Sequence, residues 1–330
     1  MKHISILIPE GEMTLSSVIG TYELFTKMNG YLANAGRNPF FNVQLVGNKK
    51  KTGLHEGLFS VQPDANFKQI KKTDLIIIPA IPYTPKAIQE NKVFVPWIVE
   101  LHKHGAEVAS LCTGAFLLAS TGLLDGKDCS THWYAAEPFR KLFPKVNLVT
   151  DKLITDDSGI YTNGGAFSFV NLLVHLIEKY CGRELAIFCS KFAEIDIDRN
   201  CQSPFHIFIG QKNHADEPIK RAQHFIENNI TKRISVDDLA KTYGLSKRNF
   251  ERRFKKATAN TPVEYIQRVK IEYAKKNLEI GRKNVNDVMY ELGYSDRKSF
   301  RTTFRKITGL MPLEYRNKYN KEAYPAYFPK

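Results

Sequence analysis

ASLCTGAFLLAS, residues 109–120, joins a short apolar run to a helix of small residues through a single cysteine. A strand that turns abruptly into a helix at a reactive-type residue is how α/β enzymes display a nucleophile above a sheet. If Cys112 sits on such an elbow, the chain around it should alternate strand and helix, and it does. HISILI, FNVQLV, DLIIIPA and EVASLC are continuous apolar or β-branched runs bounded by Pro, Gly or charged residues, the pattern of buried strands. LSSVIGTYELFTKMNGYLA and VFVPWIVELHKHG between them carry helical spacing, which implies a parallel sheet with helices on both faces. VNLVTDKLITDDSGIYTNGG reads as a strand pair about a turn at Asp156–Gly159, and GAFSFVNLLVHLIEKYCG as a helix long enough to cover a sheet face.

The rest of the chain follows another rule. Residues 191–216 lose periodicity and gain polar residues and Pro, as a connection would. After Glu217 the pattern is helical throughout, and it repeats. Residues 239–265 match residues 288–315: Gly244 and Ser246 pair with Gly293 and Ser295 at an offset of 49, and Phe250, Phe254, Thr258, Pro262 and Tyr265 pair with Phe300, Phe304, Thr308, Pro312 and Tyr315 at 50. Each copy reads as a short helix, a glycine able to turn left-handed, a serine N-cap and a second helix, which is a duplicated helix-turn-helix. In the first copy the phenylalanines face inward, leaving Arg248 and Arg252 outward, flanked by Lys247, Asn249 and Lys255. In the second, Lys298 and Thr302 point out beside Arg297, Ser299 and Arg305. Arg and Asn can make paired hydrogen bonds to guanine and adenine edges in the major groove. A helix of about 17–19 residues between the copies could set two such helices one groove turn apart.

Charge follows the same division. Residues 211–330 hold 27 Lys and Arg against 14 Asp and Glu, a net of +13, whereas residues 1–210 hold 21 and 20, a net of +1. Basic excess confined to one domain is the footprint of a nucleic-acid binder; a merely solvated basic bundle would not explain the repeated turn and matched aromatics. No apolar run approaches the length of a membrane span, and MKHISILIPEGE is too short in its apolar part for a secretory signal. Five cysteines without a C-x-x-C pair fit a reducing cytoplasm and neither a disulfide framework nor a zinc module. No metal and no cofactor is expected.

Residues 217–318, through SVDDLAKTYGLSKRNFERRFKKAT, RVKIEYAKKNL and DVMYELGYSDRKSFRTTFRKITGLMPLEYR, resemble the DNA-binding domain of the AraC/XylS family of bacterial transcription regulators. Asn260 reads as the departure at a turn where the second copy has Gly309. Residues 1–190, through GEMT, SLCTGAFLLASTGLLDGK, STHW and YTNGGAFSFVNLLVHLIEKYCG, resemble the ThiJ/PfpI family, a branch of the class I glutamine amidotransferase-like fold. The combination is similar to the GlxA-like subfamily of regulators. The resemblance implies a parallel-sheet, flavodoxin-like α/β domain over 1–190, a linker over 191–216, an all-α double helix-turn-helix domain over 217–318 and a tail over 319–330. It implies a double-stranded DNA operator, a small-molecule effector, a homodimer formed through the front domain, and RNA polymerase as a further partner. In family enzymes the elbow cysteine is the nucleophile and an acid from the loop after the first strand lies beside it, positions matched here by Cys112 and Glu12. His132 matches the STHW motif, and Thr113 stands where protease-like members carry His.

These residues define a candidate pocket of Glu12, Cys112, Thr113, Gly114 and His132. The positive end of the helix behind Cys112 is expected to lower its pKa. Gly114 and Ala115 are expected to leave room for a ligand oxygen at free backbone N–H groups. Three roles stay open for Cys112: ligand contact in a regulator, nucleophile of a cysteine hydratase or hydrolase carrying a DNA-binding tail, or plain packing.

Overall fold

A computed structural model describes residues 1–320 of the chain. They form two compact units, Met1–Gln202 and a second beginning at Ser203.

In the first unit the four expected strands are Lys2–Ile8, Phe41–Gly47, Leu75–Ile78 and Glu107–Ser110. Across the sheet the order is Ile154–Asp157, Ile160–Asn163, Glu107–Ser110, Leu75–Ile78, Lys2–Ile8, Phe41–Gly47, Ala65–Asn66. All neighbours are parallel except the hairpin of Ile154–Asp157 with Ile160–Asn163, whose register pairs Asp157 with Ile160 across the expected turn. Side chains alternate between faces with period two. Ile4, Ile6, Ile8, Leu75 and Ile77 pack with the helices Leu15–Asn34, Phe169–Cys181 and Arg183–Phe192. Leu7, Ile76, Ile78 and Val108 pack on the opposite face with Val95–Lys103, Ala115–Ser120 and Ala136–Leu142. Cover on both faces is why these strands read as unbroken apolar runs instead of alternating ones.

The stretch 191–216, expected as a connection, contributes to both units. Arg183–Phe192 is a helix set off by Gly182 at φ 89°, and Gln202 is buried in the first unit. Beyond Ser203, Phe208 packs against the core of the second unit and Lys275 donates to His206 O at 2.5 Å. Of the expected tail 319–330, Tyr319 ends the helix Pro312–Tyr319, and residues from 321 on lie outside the described residues.

In the second unit the helices are Glu217–Asn228, Val236–Thr242, Lys247–Thr258, Pro262–Ile280, Val285–Glu291, Arg297–Thr308 and Pro312–Tyr319. They share one core whose aromatic triads repeat in geometry. Phe250 and Phe254 are 5.6 Å apart and Phe254 meets Tyr265 edge-on at 5.3 Å; Phe300 and Phe304 are 5.7 Å apart and Phe304 meets Tyr315 edge-on at 5.4 Å. Gly244 and Gly293 take the left-handed turn at φ 68° and 74°.

Two details of the repeat differ from the sequence reading. Ser246 caps Lys247–Thr258, the second helix of the first helix-turn-helix and its expected recognition helix. In the second copy the cap of the matching helix Arg297–Thr308 is Asp296, not Ser295, with its carboxylate accepting from Lys298 N–H at 3.1 Å and Ser299 N–H at 2.7 Å. The one-residue insertion falls just before the cap, so the offset is already 50 there. For the same reason the counterpart of Gly309 is Ala259, not Asn260. Both stand in the left-handed region, at φ 56° for Ala259 and 75° for Gly309, and both donate N–H to the fourth residue back. An L side chain there costs about 1–2 kcal/mol, partly offset by the greater unfolded-state freedom of glycine. Ala259→Gly is therefore expected to stabilise the second unit by up to about 1 kcal/mol in urea unfolding; a loss of stability would contradict this account.

Candidate functional site

The strand order reverses direction between Lys2–Ile8 and Leu75–Ile78, since the chain runs outward from the first strand on one side and from the second on the other. In open α/β sheets ligands lodge beyond the carboxyl ends of the strands at such a switch point. A cleft of about 500 Å³ lies there. The loop after Lys2–Ile8 supplies Glu12, Met13 and Thr14, the loop after Leu75–Ile78 supplies Ile81, Pro82 and Tyr83, and the elbow supplies Thr113. His55, His132, Tyr134 and Ala135 complete the wall. Three of the five expected residues, Glu12, Thr113 and His132, are brought together. Cys112 and Gly114 are not among the lining residues.

Cys112 occupies the elbow with φ 53°, a left-handed conformation that few non-glycine residues take. Its N–H donates to Asn163 Oδ1 at 2.9 Å and its carbonyl accepts from Thr131 Oγ1 at 2.9 Å. The expected pKa shift is reversed. Burial pushes the thiol above its ordinary range and outweighs hydrogen bonds from Ala166 N–H and from Thr113. The helix behind it explains why the dipole loses: a single 3-10 turn, Cys112–Gly114, leads into only six α-helical residues, Ala115–Ser120. Alkylation of Cys112 by iodoacetamide should accordingly be slow at pH 7 and rise with a midpoint above the ordinary thiol value of about 8.5. A midpoint below that value would restore the thiolate reading.

Gly114 serves the fold. A Cβ there would lie 2.6 Å from the carbonyl oxygens of both Ile78 and Pro79, so the strand backbone fills the space expected for a ligand oxygen. Its N–H already donates to Leu111 O at 2.8 Å, and Ala115 is buried. Thr113 donates its hydroxyl to Ile81 O at 2.7 Å, tying the elbow to the cleft wall.

Glu12 is half-exposed and faces His55: one oxygen accepts from His55 N–H at 2.9 Å and the other lies 3.8 Å from its Nδ1. His132 accepts from Tyr134 N–H through Nδ1 at 3.1 Å, so the neutral ring carries its proton on Nε2. Burial lowers its pKa, favouring that neutral form, and the ring sits against Gly165, where a Cβ would come within 2.8 Å of Nε2. Among the described residues no hydrogen bond joins Cys112 to His132 or to Glu12. His55, Tyr83 and Tyr134 escaped the sequence reading; His55 stands in a tight turn in which it and Glu56 both take positive φ. Among the described residues no group of three or more His, Cys, Asp or Glu side chains could hold a metal ion.

In the second unit all ten residues expected to meet DNA lie on the two recognition helices, nine of them exposed and Asn249 partly covered. Some are preorganised: Arg252 donates to Asn249 Oδ1 at 2.9 Å, and Lys247 pairs with Asp237 at 3.2 Å. Neighbouring Arg253 is instead structural, holding both oxygens of Asp216, the N-cap of Glu217–Asn228, at 2.8 and 2.7 Å. On the second helix Arg297, Lys298, Thr302 and Arg305 line a concave surface of about 830 Å³ together with Arg301 and Lys306. Arg301 was missed, although the four-residue spacing of Arg297, Arg301 and Arg305 marks one helical stripe. Its counterpart in the first helix is Glu251.

Residues 5–179 match the DJ-1/PfpI family and residues 239–318 a helix-turn-helix domain. The HTH-type transcriptional regulator GbdR of Pseudomonas aeruginosa is 25% identical over 257 residues, covering 78% of this chain and 69% of that protein. The HTH-type transcriptional regulator GlxA of Rhizobium meliloti is 22% identical over 219 residues, 66% of this chain and 67% of its own. A Vibrio parahaemolyticus protein described as a transcriptional regulator superposes with a TM-score of 0.51 at 25% identity, over 58% of this chain and 98% of that one. Paired recognition helices behind an α/β unit define a DNA-binding transcriptional regulator of the AraC type. Within that class the chain belongs to the DJ-1/PfpI family.

Proposed function

We propose that the front unit binds a small-molecule effector in the cleft at its switch point, and that occupancy sets how the two recognition helices meet successive major grooves of an operator. The observation that carries this reading is the convergence of Glu12, Thr113 and His132 on one cleft in a chain whose other unit exposes a basic face on each recognition helix. Ligand control requires different affinities for two states of the protein, since equal binding shifts nothing. In this reading Cys112 holds the elbow behind Thr113 in place and is not a nucleophile: the direction in which burial pushes its thiol disfavours the thiolate, and Thr113 ties the elbow to the cleft wall through Ile81 O. A homodimer through the front unit would lengthen the operator and raise the effective concentration at its second half. RNA polymerase is the remaining partner of the proposal and the cytoplasm its setting; no helix among the described residues is long and apolar enough to cross a membrane.

The test is to pass genomic duplex fragments over the purified full chain, sequence those retained, and identify any small molecule that copurifies. Enrichment of one motif supports the reading. Equal retention of all fragments overturns it, and multiple turnovers of an isonitrile or amide, abolished by Cys112→Ser, would replace it with a cysteine enzyme.

A further inference from the structure

Gln202 is the last residue of the first unit, bonded directly to the residue that opens the second. It is a long polar side chain with only 2% of its surface exposed. Residues 200–202 run antiparallel beside 151–153: Leu153 N–H donates to Asn200 O at 3.0 Å and Gln202 N–H to Asp151 O at 3.0 Å. From this anchor the side-chain amide reaches inward. Its Oε1 accepts from Gly165 N–H at 3.2 Å, and its Nε2 is placed to donate to Thr131 O at 3.0 Å and Ser130 Oγ at 3.2 Å. Gly164 makes the room, since a Cβ there would lie 2.7 Å from the amide carbon and nitrogen.

Two short paths lead from that amide to the candidate site. Thr131 donates its hydroxyl to Cys112 O and directly precedes His132, which lines the cleft. Gly165 directly precedes Ala166, whose N–H bonds the Cys112 sulfur, and follows Asn163 by two residues, whose Oδ1 holds Cys112 N–H. One buried amide thus ties both segments that position the elbow and His132. Shape alone does not demand an amide here, because an unbranched apolar side chain of similar size would fill the space.

The geometry points to Gln202 as a positioning residue that couples the cleft to the DNA-binding unit. The inference rests on the sensing reading above. A ligand that shifts 131–132 or 163–166 moves the partners of the amide, and with them the segment that continues into Ser203. Coupling is reciprocal: if the cleft influences DNA binding, DNA binding must influence the cleft, so the effector need not be known to test it.

The experiment is hydrogen–deuterium exchange of the full chain with and without a saturating duplex carrying its selected operator. It compares wild type with Gln202→Met, which keeps length without the amide, and Gly164→Ala, which crowds the amide while leaving Gln202 intact. Expected is a DNA-dependent change of at least about fivefold in exchange of 130–135 and 163–168 in wild type. That change should be absent in both variants, each still folded and bound to the duplex. Persistence of the change in either folded variant overturns the role of Gln202 and leaves the sensing reading standing. Absence of any change in wild type overturns the sensing reading and the coupling together. Unfolding of the first unit by both variants also overturns the inference, since a purely structural plug would then account for Gln202.

Discussion

Replacing Phe304 by alanine should destabilise the second unit by about 3–5 kcal/mol, the usual cost of emptying a buried aromatic site. Phe304 has no exposed surface, packs against Phe300 at 5.7 Å and Tyr315 at 5.4 Å, and lies on the inward face of the helix Arg297–Thr308, turned away from Lys298 and Thr302. Its backbone carbonyl also accepts from Thr308 Oγ1 at 2.9 Å, a bond that helps close the end of the helix. A loss of that size is a large share of the roughly 5–15 kcal/mol that holds a domain together. Operator binding should fall with it, because the side chains proposed to meet DNA are presented only while the inward face stays packed. The duplication sharpens the expectation. Phe254 has the same neighbours in the first copy, so Phe254→Ala should cost about as much. The first unit has a core of its own, and its transition in urea, followed by Trp97 and Trp133 fluorescence, should not move. A Phe304→Ala cost below about 1 kcal/mol would mean the core closes over the gap more completely than such sites do.

The same repeat marks how far the sequence could be read. Phe, Phe, Thr, Pro and Tyr recur at an offset of 50 because each fills one position of a packed motif, so the identities of the buried residues specify the helices around them. Strands such as DLIIIPA were legible for a related reason: burial on both faces leaves an unbroken apolar signature. The cleft was only half legible. Thr113 and His132 sit in motifs next to their own turns, but His55 arrives from a hairpin more than forty residues after Glu12, and no local pattern announces that meeting. Gln202 was hidden altogether, since its polar neighbours made the stretch look like a loop when its partners were 37 to 72 residues away. The reversed shift at Cys112 has a different origin. The macrodipole argument was sound in sign, but it is weak in so short a helix and gives way to burial, a property of the folded surroundings and not of the motif.

Operator affinity should fall about 10³–10⁵-fold between 50 and 200 mM salt if the two recognition helices and their flanks neutralise about six to ten phosphates, because each neutralised phosphate releases condensed counterion. The second unit carries almost all of the net charge of the chain, so the slope should be a property of residues 217–318 and survive removal of the front unit. Individual side chains then separate by what they change. Lys255→Ala should weaken selected and random duplexes alike and lower the salt slope by about one, as loss of a phosphate contact does. If Arg252, ordered by its bond to Asn249, reads a base edge as proposed, Arg252→Ala should cost about 1–3 kcal/mol on the selected site and relax one base position. Arg301 tests whether the two helices are equivalent. It lies in the concave basic surface of the second, where the first helix has Glu251. Arg301→Ala should therefore lower the slope by about one, while Glu251→Ala should not lower it. Filter-binding titrations at four or five salt concentrations read all of these. A slope near zero, or one indifferent to both Lys255 and Arg301, would place the phosphate backbone on some other face of the unit.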